Sequence, residues 1–251
     1  MSADGRAVGV GACPRVGPCH PSARMPQVKR RLAAAIEHTL LKAGASPADV
    51  ERLCDEAVRH GFFAVCVHPG LTRSAADALA GAAVRVVSVV AFPHGETFAA
   101  TAADEAARCV QHGAHEIDMV LPLGHARARR FDQVGAQVSA VRRAANGVTL
   151  KVILETGLFD PTSLRELGEI CIDAGADFLK TSTGFGPRGA SIEDVALLSE
   201  LARGRVGVKA SGGIRDAAFA LALLDAGAAR LGTSSGVALL AGHAEAKASD
   251  Y

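Results

Sequence analysis

Short runs of β-branched and apolar residues alternate with amphipathic helical patterns over most of this 251-residue chain. Eight such runs, joined by short connections, predict an α/β fold in which eight parallel strands close into a (β/α)8 barrel. The length agrees with this prediction, because barrels of this kind have about 250 residues. An open doubly wound sheet is the alternative, but the Gly-x-Gly-x-x-Gly fingerprint of that fold is absent after the first predicted strand.

The predicted strands are separated by helices with recognisable ends. The strands cover residues 35–40, 62–67, 84–92, 116–121, 149–155, 177–181, 206–210 and 229–233. The helix predicted over Pro47–His60 has Ser46 as its N-cap, a proline in its first turn, and Gly61 as its C-terminal stop. A glycine between small residues recurs before the fourth, sixth and eighth strands, where each marks the end of a helix.

The composition excludes several classes of partner. Hydrophobic residues make up 49% of the chain, which is enough for a large core, and they are mainly Ala, Val and Leu. A formal net charge of +1 gives no reason to expect nucleic acid or an anionic membrane as a partner. No apolar run approaches the roughly 18 residues that a membrane span needs.

The N-terminal segment differs from the rest of the chain. Residues 1–27 are rich in Gly, Pro, Ala and Arg, so we expect a disordered extension there, followed by a catalytic barrel domain over residues 28–251 with a mobile C-terminal tail. Cys13, Cys19 and His20 have no fourth ligand nearby, so we expect no metal knuckle. The six cysteines form no C-x-x-C pair and no apolar signal core is present, which favours reduced thiols in a cytoplasmic protein.

Two lysines are predicted at the ends of neighbouring strands, where barrel enzymes carry their chemistry. Lys180 lies near the end of the sixth predicted strand and Lys209 near the end of the seventh. Two ammonium groups in a partly dry site disfavour each other's charged form, and the lowered pKa produces a nucleophilic amine. We therefore predict that Lys180 forms a Schiff base with a carbonyl substrate. Each lysine is also compatible with a simpler role, in which it binds a carboxylate or extends to the surface.

An acidic residue lies among apolar residues of the fourth strand. Burial of the Asp118 carboxylate is costly unless it is paired. Close to Lys180 and Lys209 it would be paired and could also transfer protons. A purely structural buried salt bridge is the alternative. The glycine- and serine-rich ends of the last two strands, which lead towards helix N-termini, indicate a phosphate site.

Four segments together resemble 2-deoxyribose-5-phosphate aldolase: EIDMV at 116–120, KVILETGL at 151–158, FLKTSTGFGP at 178–187 and GVKASGGIR at 207–215. The resemblance extends from about residue 36 to the end of the chain. It implies a (β/α)8 fold and reversible cleavage of 2-deoxyribose 5-phosphate to glyceraldehyde 3-phosphate and acetaldehyde, a step of deoxyribonucleoside catabolism. The implied mechanism is that of a class I lyase without metal or other cofactor.

The resemblance also implies roles for individual residues. Lys180 would carry the Schiff base, Asp118 would shuttle protons, and Lys209 would lower the pKa of its neighbour. The phosphate of a small phosphorylated sugar would lie against Gly184, Gly212, Gly213, Gly232, Ser234 and Ser235. By the same resemblance, Tyr251 on a mobile tail would assist proton transfer. A homodimer is compatible with the sequence.

Several positions near the site depart from the common pattern of the family. They are Glu37, His68, Ala91, His94 and Pro122, where many members have Asp, Asn, Gly, Leu and Asn. None of them replaces the two lysines or the aspartate. We expect the departures to affect aldehyde preference and rate rather than the class of reaction.

Three other functions remain open from the residues. A metal-dependent class II aldolase would need a ligand cluster, but the histidines are scattered, and His112 and His115 precede their strand, at the wrong end of the barrel. A Schiff-base aldolase for another phosphorylated sugar is the second. A catalytically silent phosphosugar-binding protein is the third, and the intact lysine pair argues against it.

Overall fold

The computed structural model describes Met1 and residues 26–242, and its eight strands close into a parallel barrel in chain order. The predicted fold class is confirmed. The strands are β1 (Ile36–Leu40), β2 (Ala64–Val67), β3 (Arg85–Val90), β4 (Glu116–Val120), β5 (Thr149–Ile153), β6 (Phe178–Lys180), β7 (Gly207–Ser211) and β8 (Arg230–Thr233). The barrel closes through parallel pairing of β1 with β8.

Helices surround the barrel, and each connection between strands contains at least one. They are α1 (Gln27–Ala35), α2 (Pro47–His60), α3 (Thr72–Ala78), α4 (Ala99–Gln111), α5 (Leu123–Arg127), α6 (Phe131–Ala144), α7 (Pro161–Asp173), α8 (Ile192–Ala202), α9 (Ala217–Asp225) and α10 (Gly236–Ala241). In the part of the chain that the structure describes, none of these helices has both the length and the apolar character needed to cross a membrane.

The predicted ends of helix α2 are confirmed. The Ser46 hydroxyl accepts a hydrogen bond from the Asp49 N–H, and the Asp49 carboxylate accepts one from the Ser46 N–H in return. This reciprocal capping satisfies two N–H groups that a helix leaves without partners. At the other end, Gly61 has a left-handed φ of 67°, which glycine adopts without steric cost.

Several predicted strands were too long, and local conformation explains two of the errors. Ala91, within the predicted third strand, has a φ of +53°, and Glu155, within the predicted fifth, has a φ of +52°. A left-handed residue cannot continue a strand, so β3 ends at Val90 and β5 at Ile153. Ala35, assigned to the first strand, instead ends helix α1, which begins at Gln27 inside the segment assigned to the extension.

Residues 2–25 and 243–251 lie outside the described part of the chain. The disordered extension and the mobile tail therefore stay predictions, and so does the role of Tyr251. Cys13, Cys19 and His20 fall in the same undescribed segments. The four cysteines in the described part are free and buried: Cys54, Cys66, Cys109 and Cys171.

The barrel interior is apolar on one side and charged on the other. Ala64, Cys66, Val87 and Val89, from β2 and β3, form one buried apolar cluster with Leu41. Buried carboxylates and ammonium groups occupy the remaining interior, on β1 and β4 to β7. The larger apolar core lies between the strands and the surrounding helices, as expected for a parallel sheet covered on its outer face.

Aromatic rings and guanidinium groups fill the N-terminal end of the barrel. The Arg230 guanidinium carbon lies 3.6 Å from the centroid of the Phe63 ring and 5.7 Å from that of Phe178. Arg85 approaches the same Phe63 ring at 5.3 Å. Such contacts between a cation and an aromatic face are favourable, and they close this end of the barrel.

The close contact between β6 and β7 in this layer predicts a measurable steric effect. A Cβ atom added to Gly207 would lie 2.3 Å from the Phe178 ring. Gly207→Ala should therefore lower the free energy of unfolding by about 1–3 kcal/mol, measured by urea denaturation. Gly70→Ala is the matched control, because its added Cβ meets no atom within 4 Å, and it should change stability by less than about 0.5 kcal/mol. Equal effects of the two substitutions would contradict the packing argument.

Candidate active site

The three residues singled out as catalytic from the sequence meet inside the barrel. Lys180 and Lys209 are direct partners in the register of β6 and β7. The Asp118 Oδ2 atom accepts hydrogen bonds from both, at 2.7 Å from Lys180 Nζ and 2.6 Å from Lys209 Nζ. All three side chains are buried, so water weakens their interactions little.

A third buried lysine belongs to the same cluster and was missed in the sequence. Lys151 Nζ lies 2.8 Å from Asp118 Oδ1, 2.6 Å from Glu116 Oε2 and 3.4 Å from Glu37 Oε1. It lies in the middle of β5, whereas the rule for barrel enzymes directs attention to the strand ends. The available signal was a lysine among apolar strand residues, the same pattern that identified Asp118.

Glu37 completes the cluster from β1. Its Oε2 atom accepts a hydrogen bond from Lys209 Nζ, while its Oε1 atom faces Lys151. The interior thus holds three lysines together with the carboxylates of Glu37, Glu116 and Asp118. Glu116 is also paired with Arg85 at 3.2 Å, on the N-terminal side of the cluster. The departure from Asp to Glu at position 37 therefore lies in direct contact with the predicted site.

The cluster shifts the pKa values of Lys180 and Lys209 in opposite directions. Burial lowers the pKa of Lys180, Asp118 opposes this, and Lys209 adds to the lowering, so that the pKa of Lys180 lies below its ordinary value. Burial acts in the same direction on Lys209, but Asp118 and Glu37 raise its pKa above the ordinary value. The pKa of Lys180 is thus lowered, as expected for a lysine with a buried ammonium neighbour, whereas the pKa of Lys209 is raised because it has two carboxylate partners.

The carboxylate of Asp118 is held in its ionised form. Burial alone would raise its pKa, but the ammonium groups of Lys151, Lys180 and Lys209 outweigh burial and hold the pKa well below its usual range. Cys66, which lies nearby in the barrel interior, has its pKa raised to about 11 by burial. At neutral pH it is a thiol, in agreement with its place in the apolar cluster.

The predicted phosphate residues line a cleft beside the lysines. Gly212, Gly213, Gly232, Ser234 and Ser235 surround it, together with Ile214, Arg215 and Thr233. A Cβ atom added to Gly232 would lie 3.1 Å from Lys209 Cε, so the cleft adjoins the lysine pair. Gly184 is close, because a Cβ added to Gly212 would lie 3.5 Å from its Cα atom.

The hydrogen-bond donors that this cleft offers to an anion differ from those predicted from the sequence. The N–H groups at the start of α9 were expected to attract an anion, but the Asp216 carboxylate caps this helix and accepts from the Phe219 N–H. Ser235 is buried and its N–H donates to Thr233 Oγ1 at 3.0 Å, whereas Ser234 is exposed. Gly212 and Gly213 have φ values of +85° and +74°, a pair of left-handed residues in the turn that borders the cleft.

The histidines of residues 26–242 do not gather around the lysine cluster. His115 lies at the opposite end of the barrel, where its Nδ1 accepts from the Val86 N–H at 3.0 Å. His68 Nε2 lies 2.9 Å from the Leu41 carbonyl oxygen. Among residues 26–242 no group of three or more His, Cys, Asp or Glu side chains is arranged to hold a metal ion.

Comparisons with known proteins agree on one family. A family model described as DeoC/LacD family aldolase matches residues 32–242. A protein named deoxyribose-phosphate aldolase from Thermus thermophilus is 54% identical over 211 residues, which cover 84% of this chain and 96% of that protein. One of the same name from Mycobacterium avium is 51% identical over 223 residues, covering 87% and 99%.

Solved structures give the same result. A deoxyribose phosphate aldolase from Aeropyrum pernix, described as having a unique tetrameric structure, superposes with a TM-score of 0.79 at 35% identity, covering 88% of this chain and 97% of that one. An aldolase called QR15 superposes with a TM-score of 0.80 at 37% identity, covering 86% and 96%.

The position of Lys151 predicts a large effect of its removal on stability. Lys151→Met would leave three buried carboxylates without one of their ammonium partners, and breaking a buried pair costs about 3–5 kcal/mol. Urea denaturation at pH 7 should show a loss of this size. Lys42→Met is the control, since Lys42 is exposed, 3.9 Å from Asp49, and should cost less than about 1 kcal/mol. A similarly small loss at position 151 would mean that the cluster does not depend on this lysine.

Proposed function

The chain belongs to the DeoC/LacD aldolase family, and from this membership we propose that it is a class I aldolase that reversibly cleaves 2-deoxyribose 5-phosphate to glyceraldehyde 3-phosphate and acetaldehyde. The relatives named above carry this activity in their names. The observation that carries the proposal for this chain is Lys180, a buried lysine whose pKa is lowered and whose Nζ lies 2.7 Å from a carboxylate.

In the cleavage direction, the neutral amine of Lys180 attacks the aldehyde carbon of the open-chain sugar. Loss of water from the carbinolamine gives an iminium ion, which withdraws the electron pair of the C2–C3 bond as that bond breaks. Glyceraldehyde 3-phosphate leaves as the C3 hydroxyl loses its proton, and an enamine remains on the lysine. Protonation of the enamine carbon followed by hydrolysis releases acetaldehyde and restores the amine.

In these reaction steps Asp118 transfers protons, because the basicity of its carboxylate changes as the reaction proceeds. In the resting site three lysines hold its pKa low. Asp118 accepts the proton of the C3 hydroxyl as the C2–C3 bond breaks and the iminium becomes a neutral enamine, because the loss of that positive charge makes the carboxylate more basic. It then returns a proton to the enamine carbon. Lys209 remains an ammonium group throughout and keeps Lys180 nucleophilic.

We place the phosphate end of the substrate at the cleft beside the lysines. A phosphate there would face Gly212, Gly213 and Gly232, together with Gly184, Ser234 and Ser235, at one edge of the lysine cluster. This arrangement favours a phosphorylated sugar with its carbonyl carbon at the other end. A related Schiff-base aldolase for a different phosphorylated sugar would use the same cleft, and a comparison of cleavage rates for the two sugars separates these possibilities.

The setting of the enzyme is part of the proposal. We expect a cytoplasmic enzyme that acts on a small phosphorylated sugar, without nucleic acid or membrane as a partner. A homodimer is proposed as its assembly, and sedimentation of the purified protein would determine the number of chains.

Borohydride trapping tests the central assignment. Reduction in the presence of acetaldehyde should attach a two-carbon group to the nucleophile, and peptide mass mapping should place it on Lys180. Lys180→Met should abolish both the label and the cleavage of 2-deoxyribose 5-phosphate. A label on another residue would overturn the assignment, and binding of the sugar phosphate without turnover would favour a silent binding protein.

The pH dependence of trapping tests the role of Lys209. Only the neutral amine reacts, so the rate should rise about tenfold per pH unit below the pKa of Lys180 and become constant above it. Because Lys209 lowers the pKa of Lys180, Lys209→Met should raise that pKa and move the rising limb to higher pH. Lys42→Met should leave the profile unchanged. If the rising part of the pH profile stays in place or moves to lower pH in the Lys209→Met variant, this role of Lys209 is contradicted.

A further inference from the structure

Glu155, two residues beyond the end of β5, has an unusual backbone and an unusual environment. Its φ of +52° is left-handed, a region that residues other than glycine rarely adopt. Its side chain is buried, with 1% of the residue exposed. One oxygen, Oε1, is buried without a hydrogen-bond partner among the described residues. A strained backbone and a partly unsatisfied buried carboxylate are both costly, which points to a function at this position.

The other oxygen of Glu155 holds the loop that follows Lys180. Oε2 accepts a hydrogen bond from the Thr183 N–H at 3.2 Å and another from the Thr183 hydroxyl. The same hydroxyl oxygen accepts from the Phe185 N–H at 3.0 Å. One carboxylate therefore fixes two backbone N–H groups of this loop, the first directly and the second through a hydroxyl.

Gly184 lies between Thr183 and Phe185, and its N–H group differs from theirs in having no acceptor among the described residues. Of the three successive N–H groups at Thr183, Gly184 and Phe185, that of Gly184 alone has no acceptor within residues 26–242. Gly184 has a φ of +92° and lies beside Gly212 at the edge of the cleft. The hydrogen bonds accepted by Glu155 and by the Thr183 hydroxyl thus leave a single N–H donor available in this part of the loop.

The space around Glu155 leaves its carboxylate little freedom. A Cβ atom added to Gly186 would lie 2.6 Å from Glu155 Oε1, so the loop packs directly on the carboxylate. The next residue, Thr156, donates from its hydroxyl to Asp194 at 2.7 Å, where the loop joins α8. The end of β5 therefore holds the loop at both of its ends.

We propose that Glu155 is a positioning residue for the phosphate end of the active site: through Thr183 it directs the N–H of Gly184 towards the phosphate of the substrate. This inference rests on the proposed function for the identity of the substrate. It adds a role that lies outside the lysine cluster and the glycine turns. Glu155 does not itself contact the phosphate, because its free oxygen faces Gly186.

The test compares a phosphorylated substrate with the same sugar that lacks the phosphate. Glu155→Ala should raise the KM for 2-deoxyribose 5-phosphate about tenfold, the effect of losing one hydrogen bond to a charged group. The value of kcat/KM for unphosphorylated 2-deoxyribose should change by less than about twofold. Glu155→Gln keeps an oxygen acceptor for Thr183 and should raise the KM by less than about threefold.

Direct binding of inorganic phosphate, measured by calorimetry on the full chain, gives a second readout that does not depend on turnover. Glu155→Ala should weaken this binding about tenfold, and Glu155→Gln should largely restore it. Thr183→Val removes only the hydroxyl and should weaken it by about threefold or more, which carries the test if Glu155→Ala does not fold.

Two results would overturn the inference: an equal loss of activity towards both sugars, or unchanged affinity for phosphate in the variants. If the unaltered protein binds phosphate but does not cleave 2-deoxyribose 5-phosphate, the proposed function fails. In that case the phosphate affinities of the variants still decide the role of Glu155.

Discussion

The pairing of three buried lysines with three buried carboxylates is the interaction on which the rest of this structure depends. An isolated charge in a barrel interior would be too costly to retain, and even a paired one is stable only when its geometry is good. Here the lysines lie on the neighbouring strands β5, β6 and β7 and the carboxylates on β1 and β4, with Asp118 in contact with all three lysines. The strand register that closes the barrel is therefore also the register that compensates the charges.

The same pairing explains why one lysine differs from its neighbours. Lys209 and Lys151 each face more than one carboxylate, whereas Lys180 forms its ion pair with Asp118 alone within residues 26–242. Burial acts on all three, but only at Lys180 does it prevail over the attraction. A nucleophile thus arises from an uneven distribution of carboxylates, without any residue type that is unusual by itself. The apolar side of the interior, formed by β2 and β3, contributes none of these charges.

The fold and the centre of the site could be predicted from the sequence because both leave local signals. Alternating patterns identify strands and helices, and Lys180, Lys209 and Asp118 are polar residues at strand ends or among apolar residues. Lys151 leaves the same local signal as Asp118, but it lies in the middle of its strand rather than at the end. The partners of Lys151 and Glu155 depend on which residues of other strands face them, and that register appears only in the closed barrel. The ends of β3 and β5 were predicted too late in the chain. The left-handed residues Ala91 and Glu155 stop these strands, and such a conformation at a residue other than glycine leaves no signal in the sequence.

The aromatic and guanidinium layer at the N-terminal end of the barrel affects how reactants enter and leave the active site. Phe63, Phe178 and Arg230 fill that end, so reactants would enter and leave through the opposite mouth, beside the glycine turns. The two-carbon fragment is held to Lys180 by a covalent bond until the enamine is protonated and hydrolysed, so glyceraldehyde 3-phosphate must leave before it. In synthesis the smaller aldehyde must likewise form its Schiff base before the phosphorylated aldehyde arrives. The covalent bond at Lys180 thus imposes the order of binding and release, and the filled end of the barrel leaves both aldehydes the same route.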